Sequence, residues 1–309
     1  MALLAGIDIG GTNLRIGVVQ GRQVVAEQRM QADFSQLCKQ LEPEQAWQQI
    51  VDSIATLIRQ MLEQYPQIDA IGIGFPGFVD PYTGFVAQSP NLPGLHHVDL
   101  AGDVAEAVGR SVIVDNDALA AAYGEYQLMP LPVAGLIYLG LGTGVGGGLV
   151  YAQQVLAGEH GVSMEIGHLI IVPDGRLCGC GNRGCMEQYA SASGVAISYA
   201  EATGQQLDAH SIALRATSGD VHAMAAYAQA GAALAQGLAH IVKVVDVAHI
   251  VIGGGMSAAW PLMRASFEQR LDADLIPVLR GKLQIRLSSA GDQAGIIGAA
   301  FLAGARSGN

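Results

Sequence analysis

Apolar positions along the chain come in short runs closed by glycine turns, and these alternate with stretches of helical period. "LLAGIDIG" is an apolar run with one acid near its end, and "LRIGVVQ" and "QVVAEQRM" follow turn signals at Gly10-Gly11 and Gly21. The pattern predicts an N-terminal meander of strands. Between residues 47 and 65 the apolar positions Ile50, Ile54, Leu57, Ile58, Met61 and Leu62 recur on one helix face. "AIGIGFPG" reads as a buried strand ending in a Gly-Pro turn. "SVIVDNDALAAAYGEY" reads as a strand that turns at Asp115-Asn116-Asp117 into an alanine-rich helix. Asp117 then stands near that helix N-terminus, where a carboxylate is favoured.

The same elements begin again further on. "VAGLIYLGLGTGVGGGLVYAQQVL" is strand, glycine turn, strand, and residues 221–245 form a long alanine-rich helical stretch. "AHIVIGGGMS" is a strand ending in three glycines and followed by another helix, and "GIIGAAFLAGA" is a terminal helix. A strand–glycine turn–strand unit thus occurs twice, over residues 7–19 and 136–150. Two related α/β domains are expected, each a mixed sheet flanked by helices.

Composition narrows the function classes. The 309 residues suit two domains, and with 50% hydrophobic and 14% charged residues the chain is a packed globular protein rather than a disordered one. A formal net charge of -11 argues against non-specific nucleic-acid binding, which needs Lys and Arg to displace counterions. "MALLAGIDIGG" has no basic region and carries Asp8 early, unlike a secretory signal. Residues 126–158 carry no charge, but Pro130, Pro132 and many glycines divide them into pieces that fit buried strands, not a membrane span. A soluble, cytoplasmic protein with reduced thiols is expected.

Chemistry concentrates in three places. "DIGGTNLR" (residues 8–15) and "LGTGVGGG" (141–148) each set small residues and a threonine between two strands. Glycine lets successive N–H groups converge on an anion. Either loop alone reads equally as a tight hairpin. Two in corresponding places, one beside Asp8, point to phosphate, with the Asp suited to a divalent metal such as Mg²⁺. Gly142, Gly144 and Gly147 also satisfy G-x-G-x-x-G. The dinucleotide reading of that pattern requires a helix next, and "GLVYAQQVL" reads as a strand. The third place is "CGCGNRGC". It holds three of the four cysteines, and His168 lies upstream. His168, Cys178, Cys180 and Cys185 make a closed Cys₃His set for structural zinc, with Gly179 and Gly181 expected to supply the tight turn and Gly184 a further sharp bend. Cys38 reads as an ordinary free thiol. Glu165 lies three residues before His168, and Glu187 two after Cys185. Either alone reads as a solvated surface acid. Beside a metal loop the two would be fixed to accept hydrogen bonds from sugar hydroxyls.

Together "DIGGTNLR", "GIGFPGFVD", "DNDALAAAYGE", "LGTGVGGG", "EIGH", "CGCGNRGCMEQYAS" and "VIGGGMS" resemble, along essentially the whole chain, the ROK family (repressors, open reading frames, kinases) of the actin-like, or ribonuclease-H-like, ATPase superfamily. The resemblance implies two actin-like α/β domains with an active-site cleft between them. The expected division is residues 1–118, completed by a terminal helix over about 292–309, and a larger domain over 119–291 carrying the zinc motif. It implies ATP and Mg²⁺ as well as structural Zn²⁺. Asp8, Gly10, Gly11 and Thr12 match the first phosphate motif, Gly142, Thr143 and Gly144 the second, and Gly253, Gly254 and Gly255 the adenosine motif. Asp117 matches the catalytic base. Gly77, Asn91, Asn116, Asp117, Glu165, His168 and Glu187 match sugar-site positions. Leu119 stands where the family often has Asn, which touches local packing rather than the base.

The implied reaction is transfer of the ATP γ-phosphoryl to a hexose 6-hydroxyl. "IVPDGRLCGCGNRGCMEQYAS", with its short step from His168 to Cys178, and "SPNLPGL" are most similar to the bacterial glucokinases of the family. Glucose is therefore the expected substrate, with an N-acetylhexosamine (N-acetylglucosamine or N-acetylmannosamine) as the alternative. A non-catalytic sugar sensor like the ROK repressors is the rival of another class. Its helix-turn-helix has no room before a first strand starting near residue 3, and intact phosphate loops and Asp117 speak for an enzyme. An actin-type structural role leaves the sugar and zinc motifs without purpose. The expected partners are a sugar and ATP, with no nucleic acid and no membrane, and family analogy adds a homodimer.

Overall fold

The computed structural model describes residues 2–10, 13–89 and 92–307. The chain divides into two compact units. One comprises Met1–Val133, Gly148–Met164 and Ala290–Asn309, and the other Ala134–Gly147 and Glu165–Ser289.

In chain order the first elements are β1 (Leu3–Ile9), β2 (Asn13–Gln20), β3 (Gln23–Gln31), α1 (Phe34–Gln40), α2 (Pro43–Gln64), β4 (Ala70–Phe75), β5 (Phe78–Val79), β6 (Val86–Gln88), β7 (His96–Val98), α3 (Leu100–Val108), β8 (Ile113–Asn116) and α4 (Asp117–Gln127). There follow β9 (Gly135–Leu141), β10 (Val145–Tyr151), β11 (Gln154–Val155), α5 (Glu187–Ala190), α6 (Ala192–Thr203), α7 (Ala209–Thr217), α8 (Val221–Val245), β12 (His249–Gly253), α9 (Trp260–Asp274), β13 (Gln284–Leu287) and α10 (Gln293–Ser307). The two large sheets run β3-β2-β1-β4-β8 and β11-β10-β9-β12-β13, so the repeated unit expected from sequence is a repeated topology. Both are mixed. β1 is antiparallel to β2 but parallel to β4, and β12 is parallel to β9 and β13 while β10 is antiparallel to β11. The small sheet β5-β6-β7 was not anticipated, because its strands are too short to display a period.

The period-two alternation of β1 decides what the first sheet can hold. Leu3, Ala5, Ile7 and Ile9 enter one core with Ile50, Ile54 and Ile58 of α2. Leu4 joins Ile296, Ile297, Ala300 and Ala303 of α10 on the other face. On that second face Gly6 pairs with Gly72 of β4. A β-carbon at Gly6 would collide with the Ile296 carbonyl, and one at Gly72 with the Ala299 carbonyl. The paired glycines form a trough in which the α10 backbone lies. α10 crosses α4 in the same way, since a β-carbon at Gly298 would strike the Ala120 carbonyl and one at Gly124 the Ala294 carbonyl. The obstacles are backbone atoms that cannot rotate away. Gly298→Ala is therefore expected to cost about 3 kcal/mol or more, the upper range for an overpacked core. A lowered urea midpoint with unchanged m-value would show it.

Among the described residues no helix is long and apolar enough to cross a membrane.

Candidate active site and metal centre

In the first unit, Asp8 and Arg15 are direct cross-strand partners on β1 and β2. The Arg15 guanidinium donates to Asp8 at 2.5 Å and reaches Asp292 at 3.0 Å. Burial pushes the Asp8 carboxyl above its ordinary value even with Arg15 beside it. A β-carbon at Gly295 would come within 2.8 Å of Asp8 Oδ1, so α10 fixes the acid from behind. The Gly10 N–H closes the β1–β2 turn on the Asn13 carbonyl at 2.9 Å. Gly11, Thr12 and Asn91 lie outside the described residues.

Asp117 is the first residue of α4. Asn116 caps that helix, its Oδ1 accepting from Ala118 N (2.9 Å) and Leu119 N (3.1 Å), while its Nδ2 donates to the Gly77 carbonyl at 3.1 Å. The cap thus holds together two of the positions the resemblance gave to the sugar. Asp117 is partly exposed, and its Oδ1 accepts from Ala118 N at 2.8 Å. The acid two residues earlier is employed differently. Asp115 is 3% exposed and pairs with Arg306 of α10 at 3.0 Å. Burial outweighs Arg306 and pushes Asp115 up to about 6. Of the two acids at this turn, Asp117 is the one left toward solvent.

In the second unit the ligand atoms of His168, Cys178, Cys180 and Cys185 all lie within 4.8 Å of one another. The Cys180 and Cys185 sulfurs are 3.6 Å apart, as are the Cys178 sulfur and His168 Nδ1. Zinc bonds of about 2.3 Å to sulfur and about 2.05 Å to nitrogen place tetrahedral ligands about 3.8 Å (S···S) and about 3.6 Å (N···S) apart. The donor set fits that ion in kind, and these two pairs fit it in spacing. Burial, with the neighbouring thiols, pushes Cys185 up to about 12, a cost that a coordinated cation reverses by holding the thiolate.

The expected turn is present, closed by the Gly181 N–H on the Cys178 carbonyl at 3.0 Å with Gly179 and Cys180 as its central residues. Gly179 has an ordinary backbone and open space around it. The left-handed residues are Gly181 (φ 92°) and Gly184 (φ 79°), and a β-carbon at Gly184 would also strike the Val172 carbonyl.

With Nδ1 among the thiols, the other nitrogen of His168, Nε2, stands 3.8 Å from Glu165 Oε2. Burial raises the Glu165 carboxyl, His168 opposes this, and the nearby Glu187 adds to it. Glu187 opens α5, and its Oε2 accepts from Val145 N at 3.0 Å, directly after Gly142–Gly144. In that loop Gly142 N donates to the Gly144 carbonyl, Ala192 N donates to the Gly142 carbonyl, both at 3.0 Å, and the Thr143 side chain is exposed. Gly253 ends β12. Gly254 (φ 79°) packs where a β-carbon would hit the Leu141 backbone, and Gly255 begins a single 3₁₀ turn. The three glycines thus abut the strand that leads into the second glycine loop.

The model of the ROK family matches residues 4–306. The chain belongs to the ROK family. It is 29% identical to the glucokinase of Thermotoga maritima over 97% of this chain and 96% of that protein. It is 33% identical to an N-acetyl-D-glucosamine kinase of Shigella boydii over 96% and 98%. Among solved structures it is similar to a ROK family glucokinase from Streptomyces griseus in complex with glucose and AMPPNP, with 31% identity, a TM-score of 0.82, and coverage of 98% of this chain and 100% of that one. The two-domain actin-like fold is that of the ROK sugar kinases.

Two groups in this ROK chain escaped the sequence reading. One is the Arg15–Asp292 arm behind Asp8. The other is Arg176, in the metal loop. Its guanidinium lies 4.5 Å over the Tyr189 ring and donates to the Gln188 carbonyl (2.6 Å), Ser198 Oγ (3.1 Å) and Glu201 Oε2 (2.5 Å). It pins the loop to α5 and α6. "PDGRLC" gave no signal for it, because its partners follow only after the chain folds back.

Proposed function

We propose that this protein transfers the terminal phosphoryl group of ATP to the 6-hydroxyl of a hexose, with D-glucose the preferred acceptor. That it is an ATP-dependent sugar kinase is supported by its glucokinase and N-acetylglucosamine kinase relatives and by the structure they share. The observation that carries the sugar assignment is the fixing of Glu165 and Glu187. One stands against the free nitrogen of His168, and the other begins two residues after Cys185. Carboxylates immobilised in this way grip hydroxyls directionally.

In this reading Asp117 accepts the proton of the attacking hydroxyl and Glu165, His168 and Glu187 hold the sugar, with Gly77, Asn91 and Asn116 completing its site. Gly10, Gly11, Thr12, Gly142, Thr143 and Gly144 bind phosphates, and Gly253–Gly255 receive the adenosine. Mg²⁺ would supply charge neutralisation of the phosphates near Asp8. His168, Cys178, Cys180 and Cys185 hold structural zinc. Most of the rate then comes from orientation and preorganised charge.

Glucose is preferred on the short step from His168 to Cys178 and on "SPNLPGL". An N-acetylhexosamine is the second reading, favoured by the 33% identical N-acetyl-D-glucosamine kinase. Initial rates with ATP and glucose, N-acetylglucosamine, N-acetylmannosamine or fructose separate them. The expected result is a kcat/KM for glucose about tenfold or more above either acetamido sugar, within the range one misfit group produces in a pocket. A higher kcat/KM for an acetamido sugar overturns glucose and leaves the kinase. Phosphorylation of none of the four sinks the kinase reading.

A further inference from the structure

The carboxylate of Glu187 has a second attachment that its sugar role does not explain. Oε2 accepts the N–H of Val145, the residue that follows the glycine loop 142–144 and begins β10. Val145 is buried, so without this acceptor its N–H would lose a partner that water does not readily replace.

Both ends of the glycine loop are tied to one segment. Gly142 accepts from Ala192 N at 3.0 Å, and Val145 donates to Glu187. That segment is itself rigid. Cys185 belongs to the metal set, Met186 N donates to the Leu169 carbonyl at 2.8 Å, and the Met186 sulfur rests where a β-carbon at Gly237 of α8 would collide with it. A β-carbon at Gly144 would collide with Glu187 Oε2, whereas one at Gly142 would meet nothing within 4 Å. Neither glycine has a left-handed backbone that would demand glycine. Gly144 is therefore glycine for the sake of Glu187.

We propose that Glu187 couples the two substrates. Its Oε2 positions the phosphate loop, its Oε1 takes a sugar hydroxyl, and Gly144 is a positioning residue that keeps the carboxylate in place for both. The inference rests on the sugar-kinase reading and adds a mechanism for synergy to it. A sugar bound to Oε1 immobilises the group that shapes the loop. Phosphate on the loop in turn immobilises the group that holds the sugar, because coupling between two ligands is reciprocal.

Gly144 and Glu187 provide the test. Wild type, Cys38→Ala, Gly144→Ala, Glu187→Ala and the double variant Gly144→Ala/Glu187→Ala are titrated calorimetrically, as the full-length metal-containing protein. The sugar probes are D-glucose and N-acetyl-D-glucosamine without nucleotide, and the nucleotide probe is AMPPNP without sugar. Gly144→Ala is expected to weaken sugar binding about tenfold or more, the scale of one hydrogen bond to a charged group, although it lies in the phosphate loop. Cys38→Ala, in α1 and outside the metal set, should stay within about twofold for both kinds of probe. The double variant should bind sugar no worse than Glu187→Ala alone, a non-additivity that a merely structural role for Gly144 does not produce. Glu187→Ala should weaken AMPPNP about fivefold or more, and this variant carries no change in the loop. Gly144→Ala binding sugar like wild type, additive losses in the double variant, or Glu187→Ala binding AMPPNP like wild type would each overturn the coupling. A wild-type protein that binds neither sugar fails the kinase reading instead, and that outcome is visible before any variant is made.

Discussion

Asp117→Asn is expected to lower kcat about 10³-fold while sugar affinity changes no more than a few-fold. The amide has the same shape and can still hold a hydroxyl, but it cannot accept the proton as the oxygen attacks phosphorus. General base catalysis contributes on the order of 10²–10⁴. The structure makes the comparison sharper than sequence alone, because a second acid sits in the same turn. Asp115 is buried and engaged with Arg306 at 3.0 Å. Asp115→Asn should leave kcat within about tenfold, its main effect being on the seating of α10 against β8. Asp117 opens α4 under a cap that ties Asn116 to Gly77, so the Asn variant keeps the local fold. Turnover is measured at saturating ATP and sugar, and binding by calorimetry. Near-normal turnover in Asp117→Asn, or the larger loss in Asp115→Asn, would move the base elsewhere.

The parts of this molecule that could be read from sequence are those whose cause is local. The apolar runs of β1, β4, β9 and β12 and the long period of α8 announce themselves within a few residues. The sequence placed α8 at residues 221–245, and the structure has Val221–Val245. The metal set is legible for the same reason, since its four donors fall between residues 168 and 185 and their residue types admit few other purposes. Strands as short as β5, Phe78–Val79, are not legible, because two residues carry no period. Contacts that close over long stretches of chain are not legible either. Asp8 reads as a metal-side acid, yet in the structure it is already paired with Arg15, whose other arm lies on Asp292 near the C-terminus. Glu187 reads as a sugar contact, and its bond to Val145, 42 residues away, exists only once the loop packs. The turn at Gly179 and Gly181 is legible too, and its Gly181 N–H closes on the Cys178 carbonyl. What the backbone angles add is that Gly181 and Gly184, not Gly179, take the left-handed conformation that favours glycine.

Removing the metal should also be strongly damaging, through geometry rather than chemistry. One zinc per chain is expected in protein purified without added metal. Cys185→Ala is expected to abolish that zinc and to lower kcat/KM for the sugar about 100-fold or more, the scale on which an ångström of misplacement acts. Cys185 is fully buried, and its loss leaves three donors around a space built for four. Without the ion, His168 is no longer held through Nδ1 and Glu165 loses the ring that fixes it. Glu187 then begins two residues after an unanchored position. The unit itself should remain folded, because Arg176 still clasps α5 and α6 through Gln188, Ser198, Glu201 and the Tyr189 ring. The far-ultraviolet circular dichroism of Cys185→Ala should therefore match wild type while its sugar affinity falls. Cys38→Ala, in α1 and outside the metal set, should keep both the zinc and the rate. Metal analysis, calorimetry and steady-state rates on the two variants decide the matter. A wild-type protein free of zinc that phosphorylates sugar normally, or a Cys185→Ala protein with normal kcat/KM, would show that the four donors do not organise the sugar site.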